Sequence, residues 1–129
     1  MLRAVPRARL WLLQPSAGGE AALRSEVAAC GVAAASRLRF APVMPDVAVH
    51  LRRVGSFEVV LDTLEYNCHT TGSDALWAGV PILTASGEQM ASRVAASLLR
   101  ASGGVYVKER PSARTWLGLG LGLGFGFGL

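Results

Sequence analysis

Short apolar runs that alternate with helix-forming stretches constrain this chain more than any other feature. Leu10-Trp11-Leu12-Leu13, closed by Gln14-Pro15-Ser16, is a continuous apolar run that suits a fully buried strand of a parallel sheet. Residues 19–29 are strong helix formers with Leu23 and Val27 on one face, and Gly31 stands where a C-terminal cap belongs. Arg37 to Ala41 alternates as a second strand and ends at Pro42. Pro45-Asp46 opens a second helix through Val54, and Phe57 to Leu61 is a β-branched third strand stopped by Asp62 and Thr63. Thr70-Thr71-Gly72-Ser73-Asp74 leads into a helix carrying Leu76, Trp77 and Ala78, which Gly79 ends. A fourth strand at residues 81–84 and a fourth, amphipathic helix at 88–100 complete the pattern. Trp11 and Trp77 read most simply as core.

This alternation predicts an α/β chain with a Rossmann-like parallel sheet covered on both faces. In such a fold, function collects beyond the carboxyl ends of the strands, which selects residues 14–19, 42–50, 62–74 and 85–88. At 129 residues the chain is at most one domain. The folded part is expected over residues 5–104. From residue 105 the character changes, and Trp116 to Leu129 is a repeat with glycine at every second position. Glycine at that density cannot pack a core, so residues 105–129 read as a low-complexity, disordered tail.

The net charge of +4 comes from scattered arginines, with only Arg52-Arg53 and the stretch from Lys108 to Arg114 locally basic. A clustered stripe interleaved with aromatics is missing, so nucleic acid is not the expected partner. No ungapped apolar run reaches the length of a membrane helix, and the arginines inside the first residues make a poor secretory signal. Cys30 and Cys68 lack CxxC spacing, which indicates neither a zinc site nor a disulfide framework and makes a reduced, intracellular compartment the default.

The residue types that carry chemistry gather around one of the selected loops. A diphosphate at the start of a helix needs unpaired backbone N–H groups and hydroxyl donors, and His69-Thr70-Thr71-Gly72 supplies them. Thr70 and Thr71 each offer an O–H, His69 adds a donor or a charge, and Gly72 permits a close backbone approach. Asp74, one turn on, can accept from ribose hydroxyls. The competing explanation is an ordinary capped helix start with an acid in its first turn, which stabilises a helix by about 1 kcal/mol without any ligand. His50 and Arg53 lie three apart on one helical face, where imidazole and guanidinium can stack on a base and donate to its carbonyls. No GxxxxGK[ST] or GxGxxG run is present, which disfavours a P-loop kinase or a nicotinamide dehydrogenase. Asp62 and Glu65 invite comparison with a carboxylate pair, yet an acid at a strand end commonly fixes the following loop. Cys68 beside His69 is a poor nucleophile pair, because adjacent residues in an extended loop point apart.

The run Leu61-Asp62-Thr63, then Asn67-Cys68-His69-Thr70-Thr71-Gly72-Ser73-Asp74-Ala75-Leu76-Trp77-Ala78-Gly79-Val80-Pro81, closely resembles the donor-binding segment of protein O-GlcNAc transferases. The resemblance extends to Arg9–Leu13, to His50-Leu51-Arg52-Arg53 and to Met90–Leu98, and covers residues 5–104. It implies the C-terminal half of a glycosyltransferase B fold, accompanied in the family by tetratricopeptide repeats. It also implies transfer of N-acetylglucosamine from UDP-GlcNAc to serine or threonine hydroxyls with no metal and no further cofactor. In those terms His69, Thr70 and Thr71 would hold the diphosphate, Asp74 the ribose, and His50 with Arg53 the uracil. Partners would be the nucleotide sugar and protein acceptors bound by regions outside this chain, in a cytoplasmic or nuclear setting.

Two departures accompany the resemblance. The family's lysine before His50 is replaced in the neighbourhood of Asp46 and Val47, and its second, diphosphate-stabilising lysine lies upstream of the Arg9–Leu13 strand and has no counterpart here; Lys108, the only lysine of this sequence, lies outside the matching region and is not expected to substitute. No residue of this chain is therefore assigned a catalytic role, and the chain alone is expected to bind the donor without transferring it. A non-catalytic nucleotide-binding module, a truncated product and a relative of GDP-fucose-dependent O-fucosyltransferases are the alternatives.

Overall fold

The computed structural model describes residues 2, 5–29 and 36–103; Gly31 and the tail at 105–129 lie outside the described residues. The described residues divide into two compact units, one up to Val43 and the other from Met44 onward.

In the first unit, strand β1 (Leu10–Leu13) is followed by helix α1 (Ala17–Ala29) and strand β2 (Leu38–Ala41). The strands pair in parallel from Leu10↔Leu38 to Leu13↔Ala41. Bonds from the Leu10 amide to the Arg37 carbonyl (3.0 Å) and from the Gln14 amide to that of Ala41 (2.8 Å) continue the ladder at both ends. Within α1, Arg24 pairs with Glu20 at 2.9 Å one turn back, and its guanidinium lies 5.0 Å from the centre of the Phe40 ring on β2. A cation over an aromatic face thus ties helix to strand. Leu38 and Ala41 are buried, but β1 alternates half-buried with exposed residues, and Trp11 is 45 % exposed. This corrects the expectations of a fully buried first strand and of a core Trp11. Successive side chains of a strand take opposite faces, and Leu10 and Leu12 occupy the better-covered one.

In the second unit, α2 (Val47–Val54) starts at Asp46, whose extended backbone lets Oδ1 accept the Val49 amide at 3.0 Å. That is the geometry of an N-cap, and Arg52 and Arg53 in the last turn complement the negative end of the helix. Strands β3 (Val60–Leu61) and β4 (Ile82–Leu83) pair in parallel, Val60 opposite Ile82 and Leu61 opposite Leu83. Both are shorter than the sequence pattern predicted.

Helix α3 (Thr70–Trp77) ends where Gly79 takes a positive φ of 75°. The Val80 amide reaches back to the Ala75 carbonyl (2.8 Å) and the Gly79 amide to that of Leu76 (3.1 Å), a Schellman closure. It turns the chain directly into β4. Ala75 and Val80 join Val54, Ile82 and Leu99 in the core of this unit, with Phe57, Val60, Cys68, Leu76 and Ala78 packed around them. Trp77 lies two residues beyond Ala75, on the opposite side of the helix, and is 84 % exposed. The expectation of a core Trp77 is corrected accordingly, since a helix turns through about 200° in two residues.

The fourth helix is interrupted. Met90–Ser92 forms a 3₁₀ turn, and α4 (Val94–Ala101) begins only after Arg93. The Ser92 carbonyl is taken by the Gly87 amide (2.8 Å), while its hydroxyl donates back to the Gln89 carbonyl (3.0 Å). Side-chain and loop bonds of this kind compete with the helical ladder and divide the segment. Among the described residues no helix is long and apolar enough to cross a membrane.

Candidate functional site

His50, Arg53, His69, Thr70, Thr71 and Asp74, the residues expected to contact the donor, lie in the second unit, on α2 and at the amino end of α3. The His69 carbonyl accepts from both the Gly72 amide (3.0 Å) and the Ser73 amide (3.2 Å). The amides of Thr70 and Thr71 therefore precede the first bond of the helical ladder. His69 occupies the N-cap position and makes no side-chain capping bond. Thr70 and Thr71 lie inside the exposed first turn, so the explanation of this run as a capping sequence loses its basis. The helix presents an amino end with exposed hydroxyls and its partial positive charge.

Gly72 serves a different purpose from the one expected. A Cβ there would lie 2.9 Å from Cys68 Sγ and 3.1 Å from Leu98 Cδ1. The close approach that glycine permits is made by this chain's own side chains.

His50 and Arg53 share a face as the spacing predicted, with Arg53 Nη2 3.5 Å from His50 Nδ1. The other ring nitrogen, Nε2, lies 3.1 Å from Asp74 Oδ2. Asp74 is thus paired with His50 across α2 and α3, with about a quarter of each side chain exposed. The contacts fit an imidazole with its proton on Nε2 donating to the carboxylate and with Nδ1 facing the guanidinium. The two groups expected to make separate base and ribose contacts are joined to each other.

Tyr66 belongs to the neighbourhood without having been anticipated. Its ring stacks on His69 with centroids 4.5 Å apart and planes inclined by 16°, and its hydroxyl lies 3.5 Å from His69 Nδ1. His69 Nε2 is buried without a hydrogen-bond partner among the described residues. A buried ring nitrogen left unsatisfied is costly, which makes His69 a group with donor or acceptor capacity to spare. An aromatic three positions ahead of a histidine in a loop carries no periodic signal, so pattern reading had no means of selecting Tyr66.

Asp62 fixes the approach to the helix. Its Oδ1 accepts the amides of Thr63 (2.8 Å) and Cys68 (2.6 Å), and its Oδ2 accepts the Thr84 hydroxyl at 2.5 Å. With three donors already on it, the carboxylate is a loop-fixing acid rather than a general base. Glu65 lies exposed in the same loop. Burial, followed by the charge of and a hydrogen bond with Asp62, pushes the Cys68 thiol up to about 12, far from the range of a nucleophilic thiolate. Among the described residues no three His, Cys, Asp or Glu side chains are grouped to hold a metal.

Residues 1–110 match the family described as glycosyl transferase family 41. The chain is 45 % identical over 106 residues to a probable UDP-N-acetylglucosamine–peptide N-acetylglucosaminyltransferase of Arabidopsis thaliana, a match covering 80 % of this chain and 10 % of the relative. It is 42 % identical over 103 residues to the UDP-N-acetylglucosamine–peptide N-acetylglucosaminyltransferase of Caenorhabditis elegans, covering 80 % of this chain and 9 % of that protein. Among solved structures, a K341M mutant of the Thermobaculum terrenum O-GlcNAc transferase superposes with a TM-score of 0.79 at 34 % identity, covering 98 % of this chain and 24 % of the other. This chain spans about a tenth of the length of the Arabidopsis and Caenorhabditis relatives. The α/β fold with parallel strands is that expected for half of a glycosyltransferase B fold. The chain belongs to glycosyl transferase family 41.

Proposed function

We propose that this chain is the donor-binding part of a protein O-GlcNAc transferase. On this reading Thr70, Thr71 and His69 hold the diphosphate of UDP-GlcNAc, Asp74 the ribose, and His50 with Arg53 the uracil. The observation that carries the proposal is the amino end of α3, which has free leading amides and no side-chain cap, beside the His50–Asp74 pair. A helix amino end attracts anions through its unpaired N–H groups and its dipole, and the flanking threonine hydroxyls add donors. The names of the Arabidopsis and Caenorhabditis relatives point to the same donor, and their acceptors are peptides.

Transfer requires more than this grip. Stabilising a departing diphosphate is chiefly electrostatic, and loss of one well-placed donor commonly costs about 3–4 kcal/mol at the transition state. The only lysine is Lys108, outside the segment that forms the site. The isolated chain is therefore a binder of UDP and UDP-GlcNAc without measurable transfer, and acceptor proteins are engaged by parts of the relatives that this chain does not span.

Calorimetry with UDP, UDP-GlcNAc and GDP tests the proposal. UDP binding is expected, weakened about 10- to 100-fold by Thr71→Ala or His69→Ala, the loss of one hydrogen bond to a charged group. Absence of UDP binding, or a preference for GDP, would refute the UDP-sugar reading. Transfer of GlcNAc by the purified chain would refute the inactivity.

A further inference from the structure

We infer that Asp62 is the positioning residue of the diphosphate grip, acting through the Cys68 amide and the Thr84 hydroxyl. The inference rests on the donor-site reading above.

The parallel register of β3 and β4 places Asp62 and Thr84 side by side, one step beyond the Leu61–Leu83 pair. The Asp62 amide bonds to the Leu83 carbonyl (3.0 Å), so the backbone at this corner is fixed by the sheet. Thr84 is only 1 % exposed, and its hydroxyl holds Oδ2 of Asp62 at 2.5 Å. The remaining oxygen is thereby aimed back over its own loop, where it takes the amides of Thr63 and Cys68. Cys68 immediately precedes His69, the residue at which α3 begins.

The entry to α3 has no competing anchor on its own helix, since His69 makes no side-chain capping bond. Asn67 provides a second tether further back: its amide bonds to the Ala91 carbonyl and its side-chain N–H to the Thr63 carbonyl, both at 2.8 Å. Thr63 itself donates its hydroxyl to the Tyr66 carbonyl, closing the loop on itself. Asn67 and Thr63 hold the body of the loop, while Asp62 alone of these groups bonds to the residue next to His69. The carboxylate touches no proposed substrate contact, so its influence runs through the placement of Cys68, held by its amide and by its thiol. The amides of Thr70 and Thr71 inherit their position from it.

The prediction is selective. Asp62→Asn and Thr84→Val should each weaken the hold on the diphosphate without altering the His50–Arg53–Asp74 contacts on α2 and α3. Binding of UDP and of uridine is measured on the full chain by calorimetry, with uridine read by competition. Asp62→Asn is expected to lower UDP affinity about tenfold, a loss comparable with one net hydrogen bond, while uridine affinity stays unchanged. Thr84→Val should follow in the same direction, and Thr84→Ser, which keeps the hydroxyl, should restore the original ratio. Amide hydrogen exchange supplies a reading without ligand. Cys68, whose amide is bonded to the carboxylate, should lose protection in Asp62→Asn, while Val60 in β3 keeps it. Parallel weakening of UDP and uridine, or an unchanged ratio in both variants, would overturn the inference and leave the donor site standing. An unaltered chain that binds no UDP would overturn the donor-site reading and this inference with it.

Discussion

Gly72→Ala separates two explanations for the glycine in His-Thr-Thr-Gly. If the glycine exists to admit a phosphate, the substitution should damage binding and leave folding intact. The structure points the other way. The added Cβ would lie 2.9 Å from Cys68 Sγ, 3.1 Å from Leu98 Cδ1 and 3.7 Å from Cys68 Cβ. Apolar atoms prefer about 3.5–4.0 Å, so the first two contacts are compressed by roughly half an ångström or more. Overpacking of this kind costs about 1–3 kcal/mol. Alanine recovers about 0.8–1 kcal/mol through its better helix propensity. The net expectation is a destabilisation of about 1 kcal/mol, within a range of roughly 0–2 kcal/mol, measured by urea unfolding monitored by circular dichroism. Cys68→Ala removes the compressed sulfur, leaving the Cβ of residue 68 at an ordinary 3.7 Å and Leu98 Cδ1 still at 3.1 Å. In that background Gly72→Ala should cost less than in the parent chain, since only the Leu98 contact remains tight, giving a coupling energy of about 0.5–1 kcal/mol in the double-mutant cycle. Coupling near zero, or a loss of UDP affinity at unchanged stability, would refute the packing explanation.

Three further outcomes follow from the same unit. The Cys68 thiol is raised from 9.0 to about 12, so the folded chain holds its proton where the unfolded chain releases it. Its contribution to stability is complete below about pH 9 and declines as pH rises from 9.0 toward 12, and Cys68→Ala should lessen that decline in unfolding curves taken across the range. Alkylation of Cys68 by iodoacetamide near pH 8, followed by peptide mass spectrometry, should be slow until denaturant is added; equal rates with and without it would contradict the assignment. Trp77→Ala should change unfolding free energy by no more than about 0.5 kcal/mol, whereas Leu99→Ala should cost about 2–5 kcal/mol. A large loss at Trp77 would show that the indole is packed.

The alternation of apolar runs with helix formers was sufficient to read the order of elements, because each strand and helix carries its own periodicity. The lengths of β3 and β4 were not legible. Phe57 is apolar and β-branched Val59 favours a strand, yet only Val60 and Leu61 have ladder partners. The interruption before α4 escaped notice because helix propensity over residues 88–100 is uniformly good, while the competing bonds of Ser92 depend on Gly87 being nearby. At the site, the His50–Arg53 face followed from helical spacing. The His50–Asp74 pair spans 24 residues and exists only because α2 packs on α3, which no local pattern encodes. Trp77 was misjudged because residue type was weighed above its place on the helix opposite Ala75.

The tether at Asp62 also has a consequence for the order in which the chain can assemble. His69-Thr70-Thr71 are contiguous, but the carboxylate that sets them is held by Thr84, and the loop behind it by the Ala91 carbonyl. During synthesis, these anchors leave the ribosome only after α3 has done so. A nascent chain halted before residue 84 lacks the hydroxyl that holds Asp62. The amino end of α3 thus depends on contacts distant in sequence, which carry a loop-closure cost that the helix's own ladder does not.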